Sequence, residues 1–155
     1  MVKEFENKKE WALIIGGSTG LGLATAKKLA KHGMNICIIH RNSRSQLDQI
    51  EKDFKEIKKN SVNFISYNMD AFNSKKRTEL IENLKKELER GRIKILVHSI
   101  AKGNLKPMVS HSTPILQTDD FQLTIQAMGI SLYDWVKAVF EAKIFSEDSR
   151  VVSFT

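Results

Sequence analysis

One cysteine, two prolines and an aromatic content of 8% rule out several ways of building a protein from these 155 residues. A lone Cys37 cannot close an internal disulfide, so a disulfide scaffold is excluded. It lies in the apolar run Asn35-Ile36-Cys37-Ile38-Ile39 and reads as a packed, inert thiol. Long hydrophobic runs are missing as well. Stretches such as Trp11 to Ile15 and Ile95 to Val97 fall far short of the roughly 20 apolar residues of a membrane helix. The start, Met1-Val2-Lys3-Glu4-Phe5-Glu6, lacks the apolar segment of a secretory signal. The expectation is a cytoplasmic protein with no membrane partner.

What is present fits one globular domain: 41% apolar and 28% charged residues, with no repeat or composition shift to mark a second domain. The net charge of +7 raises nucleic acid as a partner, because clustered Lys and Arg neutralise phosphates. Its distribution argues otherwise. Lys52, Lys55, Lys58, Lys59, Lys75, Lys76, Lys85 and Lys86 alternate with acids on amphipathic segments, as on solvated helix faces, and no aromatic interleaving accompanies them.

The order of elements is read from hydrophobic period. Trp11 to Ile15 is a buried strand; Leu23, Ala26, Leu29 and Ala30 mark a helix stopped at Gly33; Asn35 to Ile39 is a second buried strand. Leu47, Ile50, Phe54 and Ile57 predict a second helix, and Val62 to Tyr67 a third strand. Leu80, Ile81, Leu84 and Leu88 predict a third helix ending near Gly91, before a fourth strand from Ile93 to Val97. A polar loop from Ala101 to Thr118 holds both prolines, and its length suggests function. A long helix from about Asp119 to Lys143 and a strand from Arg150 to Phe154 follow, with Leu132, Trp135, Val136, Val139 and Phe140 read as packing. Such alternation predicts an α/β fold: a Rossmann-type, doubly wound parallel sheet. About five strands are present where that fold ordinarily has six, so residues 1–155 are expected to be a truncated dinucleotide-binding domain.

The chemistry begins at Gly16-Gly17-Ser18-Thr19-Gly20-Leu21-Gly22, a glycine-rich turn leaving a buried strand and opening a helix. There, backbone N–H groups and the positive helix end can hold a pyrophosphate. At the end of the second strand an NAD site needs a carboxylate for the ribose hydroxyls, whereas a 2′-phosphate needs cations. His40-Arg41-Asn42-Ser43-Arg44 supplies no acid and a planar guanidinium at Arg41, so NADP(H) is favoured over NAD(H). Arg44 also reads as a surface residue. No metal site is expected.

The spacing of Gly16, Gly20 and Gly22, G-x-x-x-G-x-G, resembles the short-chain dehydrogenase/reductase family from Trp11 to Thr155, with Ile15 where the family commonly has Thr. The resemblance implies that Asp70 and Ala71 meet the adenine, although Asp70 also suits a turn or cap. Val97-His98-Ser99-Ile100-Ala101 stands where most members carry Asn-Asn-Ala-Gly; it looks like the enoyl-acyl-carrier-protein reductase branch and places Ser99, Ile100 and Ala101 beside the cofactor. His98 itself reads as a core histidine. Met128 falls where most members place the Asn of a proton relay, which enoyl reductases also lack. The compact glycine motif departs from the longer one common in that branch.

Tyr133 and Lys137 satisfy the family's Tyr-x-x-x-Lys pattern, but they precede the fifth strand, whereas the family's pair follows it. They read as a decoy. No catalytic residue is expected in this chain: the catalytic Tyr and Lys would lie after Thr155, and the fragment alone would be inactive. The resemblance implies an NADPH-dependent reduction of the C=C of a 2-enoyl thioester, on acyl carrier protein or coenzyme A, by a homo-oligomer of the complete protein. The alternatives are a 3-oxoacyl or other carbonyl reductase of the same family, and a noncatalytic nucleotide-binding protein.

Overall fold

A computed structural model describes residues 3–6 and 8–154. Its centre is a five-stranded parallel sheet of β1 (Glu10–Ile15), β2 (Asn35–His40), β3 (Phe64–Asn68), β4 (Arg92–His98) and β5 (Phe145–Ser153), in the order β3-β2-β1-β4-β5. β1 is central, with Leu13 opposite Cys37 on one side and Leu96 on the other. Helices cover both faces of β1 and β2, which is why Trp11 to Ile15 and Ile36 to Ile39 are continuously apolar rather than alternating.

Alternation still decides which core each residue joins. Leu13, Ile15, Cys37 and Ile39 pack with Leu80, Leu84, Trp135 and Val139, while Ala12, Ile14, Ile36 and Ile38 pack with Ala26, Ala30, Ile50 and Phe54. The first group is contributed by α3 (Ser74–Glu87) and α5 (Ser131–Glu141), the second by α1 (Gly20–Lys31) and α2 (Leu47–Lys58). This is the doubly wound arrangement. Cys37 is completely buried, and desolvation pushes its thiol pKa far up, so it stays protonated and inert. Gly33 ends α1 at φ +87, and a Cβ there would meet the Glu6 backbone.

Beyond shifts of a residue at strand ends, four features differ from the sequence expectation. β3 begins at Phe64 rather than Val62. The predicted long helix is α4 (Thr118–Ile125), a π-helical turn (Gln126–Ile130) and α5, with Ala127 and Ser131 both buried. Phe140 is not packed but 72% exposed, since α5 buries Ser131, Trp135 and Val139 along one face. β5 starts at Phe145, not Arg150: Phe145 pairs with Ile93 and Arg150 with Ile95, so a bulge lies between them. Lys94 stands between Glu10 and Asp148 at 4.0 and 3.5 Å beside this irregularity, and hydrophobic period alone does not register so polar a strand. No described helix is long and apolar enough to cross a membrane.

Candidate cofactor-binding site

Because the sheet is parallel, the chain leaves β1, β2, β3 and β4 at one edge, and every candidate segment starts there. The glycine turn is anchored by Gly16 N–H donating to the Ile39 carbonyl (2.8 Å). Its glycines have different duties. Gly16 (φ +86) has no room for a Cβ because the Ser99 carbonyl fills that space, and a Cβ on Gly22 would collide with the Gly16 carbonyl. A Cβ on Gly17 would press on Ile14 and Ile38 at 3.0 Å. Only Gly20 (φ +56) faces open space. Thr19 precedes α1 without a side-chain cap, and no acid sits in the first turn, so the N–H groups there remain available to an anion.

Two clefts meet at this turn, sharing Gly16 and Ala101. One, of about 390 Å³, runs past His40 and Arg41 to Asp70, Ala71, Phe72, Ile100 and Lys102. The other, of about 340 Å³, lies over Thr19, Gly20, Leu21, Ser99 and Phe154. Three expected contacts line neither cleft: Ser18 is buried, Gly22 is packed beneath the turn, and Asn42 is tied to Asn68 through its own N–H (3.0 Å). Sequence reasoning missed Phe72, Lys102 and Phe154. Phe72 and Lys102 face each other, with the ammonium 5.6 Å from the ring centroid, but no local motif marks them.

At the end of β2 the Arg41 guanidinium donates to Asp70 Oδ2 at 2.9 Å, while Asp70 Oδ1 accepts from Phe72 N–H at 3.0 Å. The Asx-type turn and the ion pair therefore share one carboxylate. His40 lines the cleft, yet its ring packs on the Phe54 edge and its Nδ1 meets Asn42 Oδ1 at 2.8 Å. Burial lowers its pKa, with the Asn42 contact opposing. Ser99 N–H donates to the Ile15 carbonyl at 2.7 Å, joining the β4 exit to the β1 exit.

His98 is wholly buried, its Nε2 3.1 Å from Ser131 Oγ at the start of α5 and its Nδ1 without a partner among the described residues. Desolvation lowers its pKa and keeps the ring neutral. The loop after Ala101 is fastened through Asp120, whose carboxylate accepts from Lys106, Asn104 and the Gln117 N–H. Lys106, then the backbone N–H and Asn104, hold its pKa down at about 2. Tyr133 is 62% exposed and Lys137 pairs with Glu141 at 3.8 Å; neither lines either cleft.

Residues 10–154 match the short chain dehydrogenase family model, and the chain belongs to that family. The very-long-chain 3-oxoacyl-CoA reductase of Bos taurus is 30% identical over 122 residues, 78% of this chain but 37% of that protein. The human protein of the same name is 45% identical over 47 residues, 30% of this chain and 15% of the relative. Among solved structures, a Burkholderia cenocepacia J2315 short chain dehydrogenase in complex with NADP superposes with a TM-score of 0.72 at 22% identity, covering 94% of this chain and 55% of that one. The chain thus spans about half the length of solved relatives and less of the curated ones. The names of these relatives point to 3-oxoacyl reduction rather than to the enoyl branch expected from the His98-Ser99-Ile100-Ala101 segment.

Proposed function

We propose that the complete protein is an NADP(H)-dependent oxidoreductase that reduces the 3-oxo group of an acyl thioester. The observation that carries the cofactor assignment is the meeting of two clefts at Gly16 and Ala101, one lying over the open Gly20 position and the other reaching Arg41. Their linings, a glycine turn at a helix start and a guanidinium at the end of β2, suit a dinucleotide phosphate. The pyrophosphate would be held by the turn Gly16 to Gly22, with Thr19, Gly20 and Leu21 supplying backbone; Arg41, next to His40, would take the 2′-phosphate; Asp70 and Ala71 would border the adenine; Ser99, Ile100 and Ala101 would face the ribose. NADPH, when bound, supplies the hydride. The substrate class is supported by the names of the bovine and human relatives.

A second reading, reduction of a 2-enoyl thioester, is favoured by one local feature. Met128 stands at the position that, by the resemblance above, holds the Asn of a proton relay in most members and not in enoyl reductases. In both readings the hydride reaches the third carbon of the acyl chain. A tyrosine after Thr155 would then donate a proton to the carbonyl oxygen or steady the enolate, in place of exposed Tyr133. Homo-oligomers and an acyl group on coenzyme A or acyl carrier protein belong to the same proposal.

The test is NADPH oxidation by the complete protein, with a 3-oxoacyl-CoA and a 2-enoyl-CoA of equal chain length. Faster turnover of the 3-oxo substrate supports the first reading and faster turnover of the enoyl substrate the second. Failure to bind NADPH overturns both.

A further inference from the structure

We infer that Trp135 is a positioning residue for the adenosine half of the cofactor site: its indole N–H, reaching from α5, holds the carbonyl of Ala71 and so sets the wall against which the adenine would lie. This rests on the cofactor reading above. Trp135 is completely buried, and its Nε1 donates to the Ala71 oxygen at 3.1 Å, across 64 positions of sequence. Ala71 is a lining residue of the cleft that also holds Arg41 and Asp70.

The arrangement is cross-braced by a second donor. Arg77, on α3, reaches the same Ala71 carbonyl at 3.5 Å through Nη1, while its Nη2 donates to Asp134 on α5 at 3.0 Å. The guanidinium also lies 5.8 Å from the Trp135 ring centroid. The side chain of Arg77 is only 11% exposed, which makes the Asp134 partnership stronger than a surface ion pair. Next along the chain, the carboxylate of Asp70 accepts from Phe72 N–H and from Arg41. The segment Asp70-Ala71-Phe72 is therefore gripped from the helix layer at its middle residue and from β2 at its first. A buried carbonyl with two donors has one preferred place, and the adenine wall takes its position from it.

The residues involved lie inside Tyr133-Asp134-Trp135-Val136-Lys137. Tyr133 and Lys137 turn outward, while Asp134 and Trp135 turn inward to this site. Helical geometry separates the two pairs onto different faces.

The experiment uses the complete protein and two fragments of the cofactor: adenosine 2′,5′-bisphosphate, and reduced nicotinamide mononucleotide, which lacks the adenosine half. Trp135→Phe keeps the ring and removes the N–H. It should weaken the adenosine fragment, and the KM for NADPH, by roughly three- to tenfold, the worth of one neutral hydrogen bond. Affinity for the nicotinamide fragment and kcat should stay within about twofold. Asp134→Asn, at a half-buried position, removes the charge that anchors Arg77 and should act in the same direction by about two- to threefold; it carries the test if Trp135→Phe does not fold. Parent-like binding of the adenosine fragment by the folded variant overturns the inference alone, as does an equal loss for both fragments. If the parent binds neither fragment, the cofactor reading falls and this inference with it.

Discussion

Arg41 and Asp70 form an ion pair 2.9 Å long across the cleft, joining the end of β2 to the end of β3, with the guanidinium 67% and the carboxylate 40% exposed. So exposed a pair contributes little stability. Its consequence lies in recognition: a 2′-phosphate must compete with the Asp70 carboxylate for the same guanidinium. Arg41→Ala should weaken NADPH by about 1 to 2 kcal/mol, below the full worth of a charge-assisted contact because of that competition, and leave NADH nearly unchanged. Isothermal titration of both cofactors against the complete protein checks this; equal losses for the two would remove Arg41 from phosphate recognition.

The glycines of the turn should separate into two kinds. A side chain at Gly16 meets the Ser99 carbonyl and adopts φ +86, so Gly16→Ala should lower the melting temperature as well as cofactor affinity. Gly20→Ala is different. Its Cβ enters open space and costs only the left-handed conformation, about 1 kcal/mol, yet it stands where a pyrophosphate would approach the helix start. Thermal melts beside NADPH titrations should therefore show Gly20→Ala folded and binding-deficient. Full affinity in that variant would contradict the placement of the pyrophosphate.

His98 makes stability depend on pH. Burial lowers its folded pKa below the ordinary 6.5, so the unfolded chain takes up a proton more readily. The sign follows: stability is complete above about pH 6.5 and declines as pH falls from there toward the lowered value. His40, also lowered, acts in the same direction. His98→Asn should flatten the decline by up to about 1.4 kcal/mol per pH unit, leaving the share of His40. Urea midpoints from about pH 7.5 to pH 5 measure it; an unaltered slope would mean that His98 is not the proton acceptor.

The anchor of the Ala101–Gln117 loop titrates in the same sense, in a more acidic window. Asp120 has its pKa held down at about 2 by Lys106, the Gln117 N–H and Asn104, below the ordinary 3.8. Its contribution is present above about pH 4 and lost as pH falls toward 2. Asp120→Asn should loosen the loop at neutral pH, seen as faster proteolysis between Ala101 and Gln117. Parent-like protease resistance would place the anchor elsewhere.

Tyr133→Phe should leave turnover of the complete protein within a few-fold, because the hydroxyl belongs to a 62% exposed ring that lines neither cleft. Loss of a general acid typically costs about a hundredfold or more. Stopped-flow NADPH oxidation with a thermal melt separates the two cases; a collapse in rate at unchanged stability would make Tyr133 catalytic.

Local order in this protein is written along the chain. The switch from the buried run Trp11–Ile15 to the stripe Leu23, Ala26, Leu29 and Ala30, with glycines between, specifies strand, turn and helix because each period allows only one face arrangement. Repetition of that unit leads to the parallel sheet, and Arg41 after an acid-free β2 end identifies the cationic corner of the cleft. Period says nothing about bulges, π turns or edge exposure. The early start of β5, the break at Gln126–Ile130 and the exposed Phe140 therefore emerge only when β4 and the helices take their places. The same holds for distant partners. That Trp135 meets Ala71, that His98 meets Ser131 and that Ser99 crowds Gly16 are consequences of tertiary packing, since these atoms lie between 33 and 83 positions apart and no local preference of either partner encodes the meeting.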